Sequence, residues 1–256
     1  MKKHSICAVV LAITLMLTGC DLSISNPREE ESSIKLPVKN NLVLHLQADR
    51  GVAMEEGRVT GWIDYSLQGN NLDAVGDPRL ILEGLKDQPT IHFDGQEDLV
   101  ESNFELKGLP TGNSDRTMFM VAKYNSKGYG GFSYGKPSNN NSFGLVVDSE
   151  GYLAVQAWGQ KNDNLSKVDG NGSGWLTQSV KLQSGVLTHY KNGVQLNSIS
   201  HDYNTISQQL IIGAEIDREL HIDMEIAEII IFARALNETE RQQVESYLQQ
   251  RYFAKS

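Results

Sequence analysis

The chain has 256 residues, 39% of them hydrophobic and 21% charged, with 23 basic against 32 acidic side chains and a net charge of −9. That balance argues against nucleic acid as a partner and against direct adhesion to anionic lipid headgroups, since both call for a basic face. Twenty-three glycines against six prolines suit many short strands joined by turns.

The first residues read as an address. Lys2 and Lys3 precede an apolar run from Ile6 to Leu17, and Leu17-Thr18-Gly19-Cys20 follows. A charged start, a short apolar core and small residues before a cleavage point describe a secretory signal over 1–19, too short for a membrane span. The Leu-Thr-Gly-Cys ending resembles the bacterial lipobox, which implies cleavage before Cys20 and lipid on its sulfur. Each buried methylene of such a lipid adds about 0.8 kcal/mol of membrane affinity. Asp21 resembles the signal that keeps enteric-type lipoproteins in the inner membrane, facing the periplasm; the outer membrane or the cell surface is the other destination. Cys7 and Cys20 are the only cysteines, so the mature domain is expected to stand without a disulfide. Residues 20–40, with Pro27, Pro37 and Glu29-Glu30-Glu31, are polar and read as a tether. The domain proper is expected over 41–256.

Strands then follow in order. Leu42 to Ala48 is the first, and Val59 to Asp64 carries Trp62. Gln88 to Gly95 alternates Ile91 and Phe93 with His92, so His92 should face away from them. Thr117 to Lys123 is the strongest central strand. A glycine-aromatic hairpin spans Gly128 to Gly135 with Tyr129, Phe132 and Tyr134. Phe143 to Asp148 and Tyr152 to Trp158 flank a turn at Ser149-Glu150-Gly151. Val186 to Tyr190 and Val194 to Leu196 flank Asn192-Gly193, the favoured hairpin turn. Leu210 to Gly213 is followed by the β-branched run Met224 to Phe232, which reads as a buried strand. Asn237 with Glu240 three residues on makes a capping box, and Val244, Leu248 and Tyr252 lay one apolar stripe on a short final helix. Twelve to fourteen strands at this spacing predict a two-sheet antiparallel sandwich.

Several of these stretches resemble boxes of the concanavalin A-like lectin/glucanase superfamily, in its laminin-G-like bacterial branch. Trp62-Ile63-Asp64-Tyr65-Ser66 with Gly69-Asn70-Asn71 is one, Pro89 to Gly95 another, the Asn192-Gly193 hairpin a third and Glu225 to Phe232 a fourth, in family order. Met224 stands where the family usually has Gly, and Ala233 where it often has Asn. The resemblance implies a jelly-roll sandwich with a short C-terminal α-helix. It also implies that Trp62 packs in the core while Asp64 and Asn70 tie down a turn.

Three constellations carry chemistry. Glu215-Ile216-Asp217-Arg218-Glu219 resembles the signature of laminarinase-type glycoside hydrolases, which implies Glu215 as nucleophile, Asp217 as its helper and Glu219 as acid/base. On a strand these three would share a face, and retention needs two carboxyls about 5–5.5 Å apart. Against this, the segment follows Ile211-Ile212-Gly213 directly and precedes the last strand, where the laminin-G-like branch has a surface loop. Asp169, Asn171 and Ser173 place oxygen donors at alternate positions and are a candidate Ca²⁺ loop, although position twelve is Val180, so it is not an EF-hand. Tyr129, Tyr134, Trp158 and Trp175 lie in or beside loops and are the candidates for stacking on sugar rings, with the Ser138-Asn139-Asn140-Asn141-Ser142 run supplying amides. No P-loop, zinc spacing or Ser-His-Asp order is present. The reading is a lipid-anchored, lectin-like domain that recognises a glycan or a protein partner without catalysis. A β-glucanase using Glu215 and an assembly lipoprotein of an envelope complex are the alternatives.

Overall fold

The computed structural model describes residues 34–102 and 106–254. The signal segment and Cys20 lie outside them. Seventeen strands run through the described residues: β1 Leu42–Gln47, β2 Val52–Glu55, β3 Arg58–Trp62, β4 Leu72–Val75, β5 Arg79–Leu85, β6 Gln88–Asp94, β7 Leu99–Glu101, β8 Arg116–Tyr124 and β9 Gly131–Gly135. There follow β10 Ser142–Val147, β11 Tyr152–Gln156, β12 Asn164–Asp169, β13 Trp175–Gln183, β14 Val186–Lys191, β15 Val194–Ser200, β16 Gln209–Ile212 and β17 Asp223–Phe232. Helix α1, Glu238–Leu248, continues into a π turn over Gln249–Phe253.

The strands form two antiparallel sheets, an architecture of the expected sandwich type. One has eight strands in the order β15-β14-β13-β8-β17-β6-β5, with β1 also on β17; the other has nine, in the order β12-β11-β10-β9-β16-β7-β4-β3-β2. Period-two alternation explains the interior. Met118, Met120, Ile229 and Ile231 from the first sheet meet Phe132, Phe143, Leu145, Val155 and Ile212 from the second in one core. Six of the strands (β2, β4, β5, β7, β12 and β13) were not anticipated from the sequence, and the strand count exceeds the expected twelve to fourteen.

The outer face of the eight-stranded sheet is apolar too, because α1 covers it. Phe119, Val121, Ile230 and Phe232 pack there against Val244, Tyr247, Leu248 and Tyr252, joined by Leu36 and Val38. The packed unit therefore begins at Lys35 rather than at Asn41, since Leu36 and Val38 are buried and not part of a solvated tether. The Asn237 carboxamide accepts the Glu240 N–H at 2.9 Å and the Glu240 carboxylate accepts the Asn237 N–H at 3.1 Å, the expected capping box. A register shift between Ile226 and Glu228 turns the Glu228 carboxylate toward the helix. There it is wholly buried and accepts from His45 Nε2 at 2.7 Å, from the Tyr247 hydroxyl at 2.9 Å and from the Tyr252 hydroxyl at 2.8 Å.

Two smaller expectations hold. Trp62 is buried, and the Asp64 carboxylate accepts the backbone N–H groups of His45, Ser66 and Asn70 and the Ser66 hydroxyl, fixing the turn after β3. Asn192 and Gly193 have φ of 50° and 80°, the left-handed pair that a two-residue hairpin needs.

Candidate functional site

The outer face of the nine-stranded sheet differs from that of its partner. Among the described residues no helix covers it, and apart from Ile211 its register lines up polar and small residues. Asp73, Glu101, Ile211, Ser133, Gly144 and Gln156 stand side by side across β4, β7, β16, β9, β10 and β11. Alternation turns all six away from the core, whose inward positions are held by Val100, Phe132, Leu145 and Val155.

Three loops converge over this row. The first follows β16. Gly213 takes φ +88° in a place where a Cβ would stand 2.4 Å from the Phe93 ring, so only glycine turns the chain here. Residues 214–221 then form a loop closed by the Ala214–His221 bridge. It is not a strand, so the shared face imagined for Glu215, Asp217 and Glu219 does not form. Glu219 is exposed, and its N–H is held by the Asp217 carboxylate at 3.0 Å. The loop is not a solvated excursion either. Ala214 and Ile216 are fully buried against Leu99 and Ile211. Arg218 pairs with Glu101 at one end of the row, and Glu215 accepts the Gln156 amide at 2.6 Å at the other.

The second loop follows β11. Its Trp158 has φ +69°, a conformation that costs a bulky side chain on the order of 1–3 kcal/mol. The surroundings hold it there. The Trp158 carbonyl accepts the Asn140 N–H at 2.9 Å and the Asn162 amide at 2.8 Å, while its ring packs on the cluster formed by Ile211, Ala214 and Ile216. Asp163, from the same loop, accepts the Ala157 N–H at 2.9 Å. The third loop, between β8 and β9, brings the half-buried Tyr129.

The electrostatics bind these three loops into one site. Burial pushes the Glu215 carboxyl up to about 7; the Gln156 hydrogen bond opposes the rise, and the charges of Asp217 and Asp163 add to it. Burial also raises Asp163, against the backbone hydrogen bonds from Ala157 and Trp158. The Tyr129 phenol is raised by burial and then by Asp163, Asp148 and Glu215. Beneath the loops, the Ser133 and Ser142 hydroxyls and Gln156 Oε1 are buried with no hydrogen-bond partner. Such groups are rare in a folded protein.

Of the four aromatic candidates, the structure brings Tyr129 and Trp158 to this cluster of loops. Trp175 lies on the other sheet, packed under the helix. Tyr134 is a core residue: it points inward from β9 and its hydroxyl is held between Arg116 at 2.8 Å and the Pro110 carbonyl at 2.9 Å. The Ser138–Ser142 amides are spent on neighbouring loops, Asn139 taking Asn162, Asn140 the Asp202 carbonyl and Asn141 the Asn204 carbonyl. At the proposed Ca²⁺ loop, the Lys191 ammonium donates to the Asp169 carbonyl at 2.9 Å and the Ser173 hydroxyl at 2.6 Å, and the Asp169 carboxylate accepts the Gly172 N–H. A positive charge from the chain itself thus sits on two of the oxygens. Among the described residues no group of three His, Cys, Asp or Glu side chains could hold a metal ion. Asp163 and Gln156 were not singled out from the sequence, and no local motif marks either.

A concavity of about 550 Å³ lies on the other sheet between α1 and the β14–β15 turn. Its lining includes Thr177, Asn192, Gln242, Glu245 and Gln249. None of these carries a buried polar atom left without a partner, so it lacks what distinguishes the first site.

No protein-family model matches the chain, and no curated protein matches it. Solved structures do. The chain is similar to the binding domain of Paraclostridial mosquitocidal protein 1, with 17% identity and a TM-score of 0.59 over 83% of this chain and 53% of that one. It is similar to domain 4 of AbnA, a GH43 extracellular arabinanase from Geobacillus stearothermophilus in complex with arabinotriose, with 17% identity and a TM-score of 0.59 over 81% and 98%. A third is a botulinum neurotoxin type C structure, whose cell entry is dependent upon interaction with two ganglioside molecules, with 15% identity and a TM-score of 0.58 over 83% and 52%. The chain spans about half the length of the two toxin chains. At these identities the similarity establishes the fold class, a β-sandwich.

Proposed function

We propose that this chain is a glycan-binding, non-catalytic module of a bacterial lipoprotein, and that the loop-covered face of the nine-stranded sheet is its binding site. One observation carries the reading: three loops from distant parts of the chain converge on a buried polar row that keeps unpartnered hydrogen-bonding groups beside two aromatic side chains. Sugar rings offer an apolar face and a rim of hydroxyls, which the part-exposed Trp158 and Tyr129 rings and the part-exposed carboxyls of Glu215, Asp163 and Asp217 complement. The arabinotriose complex of one similar fold and the ganglioside dependence of another support the reading. Lipid on Cys20 anchors the module in the cell envelope, with Asp21 favouring the inner membrane and a periplasm-facing domain. Calcium has no role at the Asp169 loop in this reading.

A second reading has one observation of its own. Glu215 is a half-buried carboxyl raised to about 7, the range of a general acid. That would make the same cleft hydrolytic, with Asp163 in place of Glu219 as its companion.

One experiment separates them. The full-length chain, kept in detergent, is incubated with a panel of insoluble and soluble polysaccharides while protein depletion and release of reducing sugar are followed. Depletion without release, weakened by Trp158→Ala, supports the binding module. Release that disappears in Glu215→Gln makes it a hydrolase. Neither signal on any glycan refutes both. Palmitate labelling that survives Cys20→Ala would refute the anchor.

A further inference from the structure

On the other side of the sandwich, the concavity of about 550 Å³ is built from three separate stretches of chain. Thr177 of β13, 5% exposed, is its floor, and Asn192 and Gly193 form one wall. The helix stripe Gln242, Glu245, Ser246 and Gln249, spaced at i, i+3, i+4 and i+7, forms the other. The turn and the helix come close at Gly193, where a Cβ would stand 2.9 Å from Glu245 Oε2. Asn192 uses its side-chain carbonyl and its N–H on the Thr177 main chain, both at 2.8 Å, which leaves the Asn192 amide nitrogen and the Thr177 hydroxyl for a ligand. The Gln242 amide nitrogen donates to Glu238 at 2.9 Å, which leaves its carbonyl oxygen. Ser246 and Gln249 are exposed. Burial raises the Glu245 carboxyl, and Arg241 opposes the rise.

We infer that this concavity is a second carbohydrate site, one that takes a neutral sugar. Its lining rules out the other small-ligand classes. It contains no lysine or arginine to hold a phosphate, sulfate or carboxylate. The cations around it are engaged, Arg241 with Glu238 and Glu245, and Lys191 with the Asp169 carbonyl and the Ser173 hydroxyl, while Lys181 acts on Glu238. The lining has no aliphatic or aromatic side chain against which a lipid tail could be buried. Its one carboxyl is held by Arg241 and by the Ser179 hydroxyl at 3.3 Å, so it does not call for a cation. What remains are amides and hydroxyls that together donate and accept, as the hydroxyls of a sugar do. The volume falls within the range of small-molecule sites, about 300–1,000 Å³. Half-buried Trp175 stands two residues before Thr177 on the same face of β13, where a chain of sugars leaving the concavity along that strand would meet it. This site lies on the sheet opposite the binding face proposed above and does not depend on it. With both occupied, one chain would bridge two glycan strands.

The test is calorimetry on the full-length chain in detergent. Cellotriose, maltotriose and arabinotriose are the neutral probes, trigalacturonate the acidic one and acetyl-triglycine amide the neutral peptide. Each is measured on the parent and on Trp158→Ala, which disables the face proposed above. At least one neutral trisaccharide should bind in both backgrounds. Gln249→Ala should weaken that binding about tenfold. Ser246→Trp, which fills the concavity, should abolish it, and Gln243→Ala, on the helix but outside the lining, should leave it intact. If Ser246→Trp fails to fold, Gln249→Ala at an exposed position still decides. Equal or tighter binding of trigalacturonate or of the peptide would overturn the inference. So would the absence of any trisaccharide binding, or binding indifferent to both Gln249→Ala and Ser246→Trp. Binding that responds to Trp158→Ala alone would refute this site and leave the first standing.

Discussion

The Gln156 amide donates to the Glu215 carboxylate at 2.6 Å, joining the end of β11 to a loop 59 residues further along the chain. This contact pins the loop over the polar row. It also couples the loop to protonation, because the carboxylate it holds is raised to about 7.

Glu215 therefore contributes to stability with a definite sign. Its folded value lies above the ordinary 4.5, so the folded protein holds the proton more tightly than the unfolded chain does. The contribution is full below about 4.5 and is lost as pH rises through about 7. With the group only half buried, a discounted size is about 1 kcal/mol. His189 acts in the opposite sense. Burial pushes it down to about 3, so its contribution is full above the ordinary 6.5 and is lost as pH falls toward 3. Denaturant melts at several pH values, run on the parent and on Glu215→Gln, should differ in slope between pH 4.5 and 7 and agree below it.

Trp158 offers a test of strain. Its backbone is left-handed, which suits glycine and costs any other residue. Trp158→Gly should be more stable than Trp158→Ala by about 1 kcal/mol, although both lose the same ring. Both should weaken glycan binding to a similar degree. Equal stability of the two variants in urea melts would refute the strain.

Glu228 is a wholly buried carboxylate whose partners are His45, Tyr247, Tyr252 and Arg251, the last with its Nε 3.5 Å away while it also pairs with Asp49. Removing it leaves buried donors without an acceptor. Glu228→Ala should cost about 3–5 kcal/mol, while Tyr247→Phe should cost about 1–2 kcal/mol. Hydrogen exchange should show α1 loosened in both, and more in the first.

Much of this fold was legible because the signals were local. The Asn237–Glu240 box, the Asn192–Gly193 turn and the Asp64 turn each lie within a few residues. β13 was not, because Gln178 occupies an inward position there. It survives in the core through the Tyr124 hydroxyl at 2.8 Å and the Ala154 carbonyl at 3.0 Å, partners that its own segment does not reveal. Tyr134 misled for the opposite reason. Glycines on both sides made it read as a loop aromatic, yet they only let β9 pack closely on β10; a Cβ on Gly135 would stand 2.4 Å from the Asn141 carbonyl oxygen. At the site, Trp158 and Glu215 were visible as types. Asp163 and Gln156 were not, because their meaning comes from the register of β10 with β11 and from a loop that returns much later.

The Lys191 ammonium on the Asp169 carbonyl and Ser173 hydroxyl predicts indifference to calcium. Millimolar Ca²⁺ should leave the unfolding temperature within a degree or so, since an ion worth even 1 kcal/mol would move it by about 2–4 °C. A clear upward shift would show that the ion displaces the lysine.

Leu36 and Val38 enter the sandwich beneath α1, on the outer side of the eight-stranded sheet, and the cleft opens on the outer side of the other. The sandwich is therefore polarised, with Leu36 and Val38 at the back and the proposed binding face at the front. Coupled to a bead or a sensor chip through Lys35, the domain would present the cleft to the solution, with its whole thickness between ligand and support. A long, stiff polymer could then lie across the front without meeting the attachment.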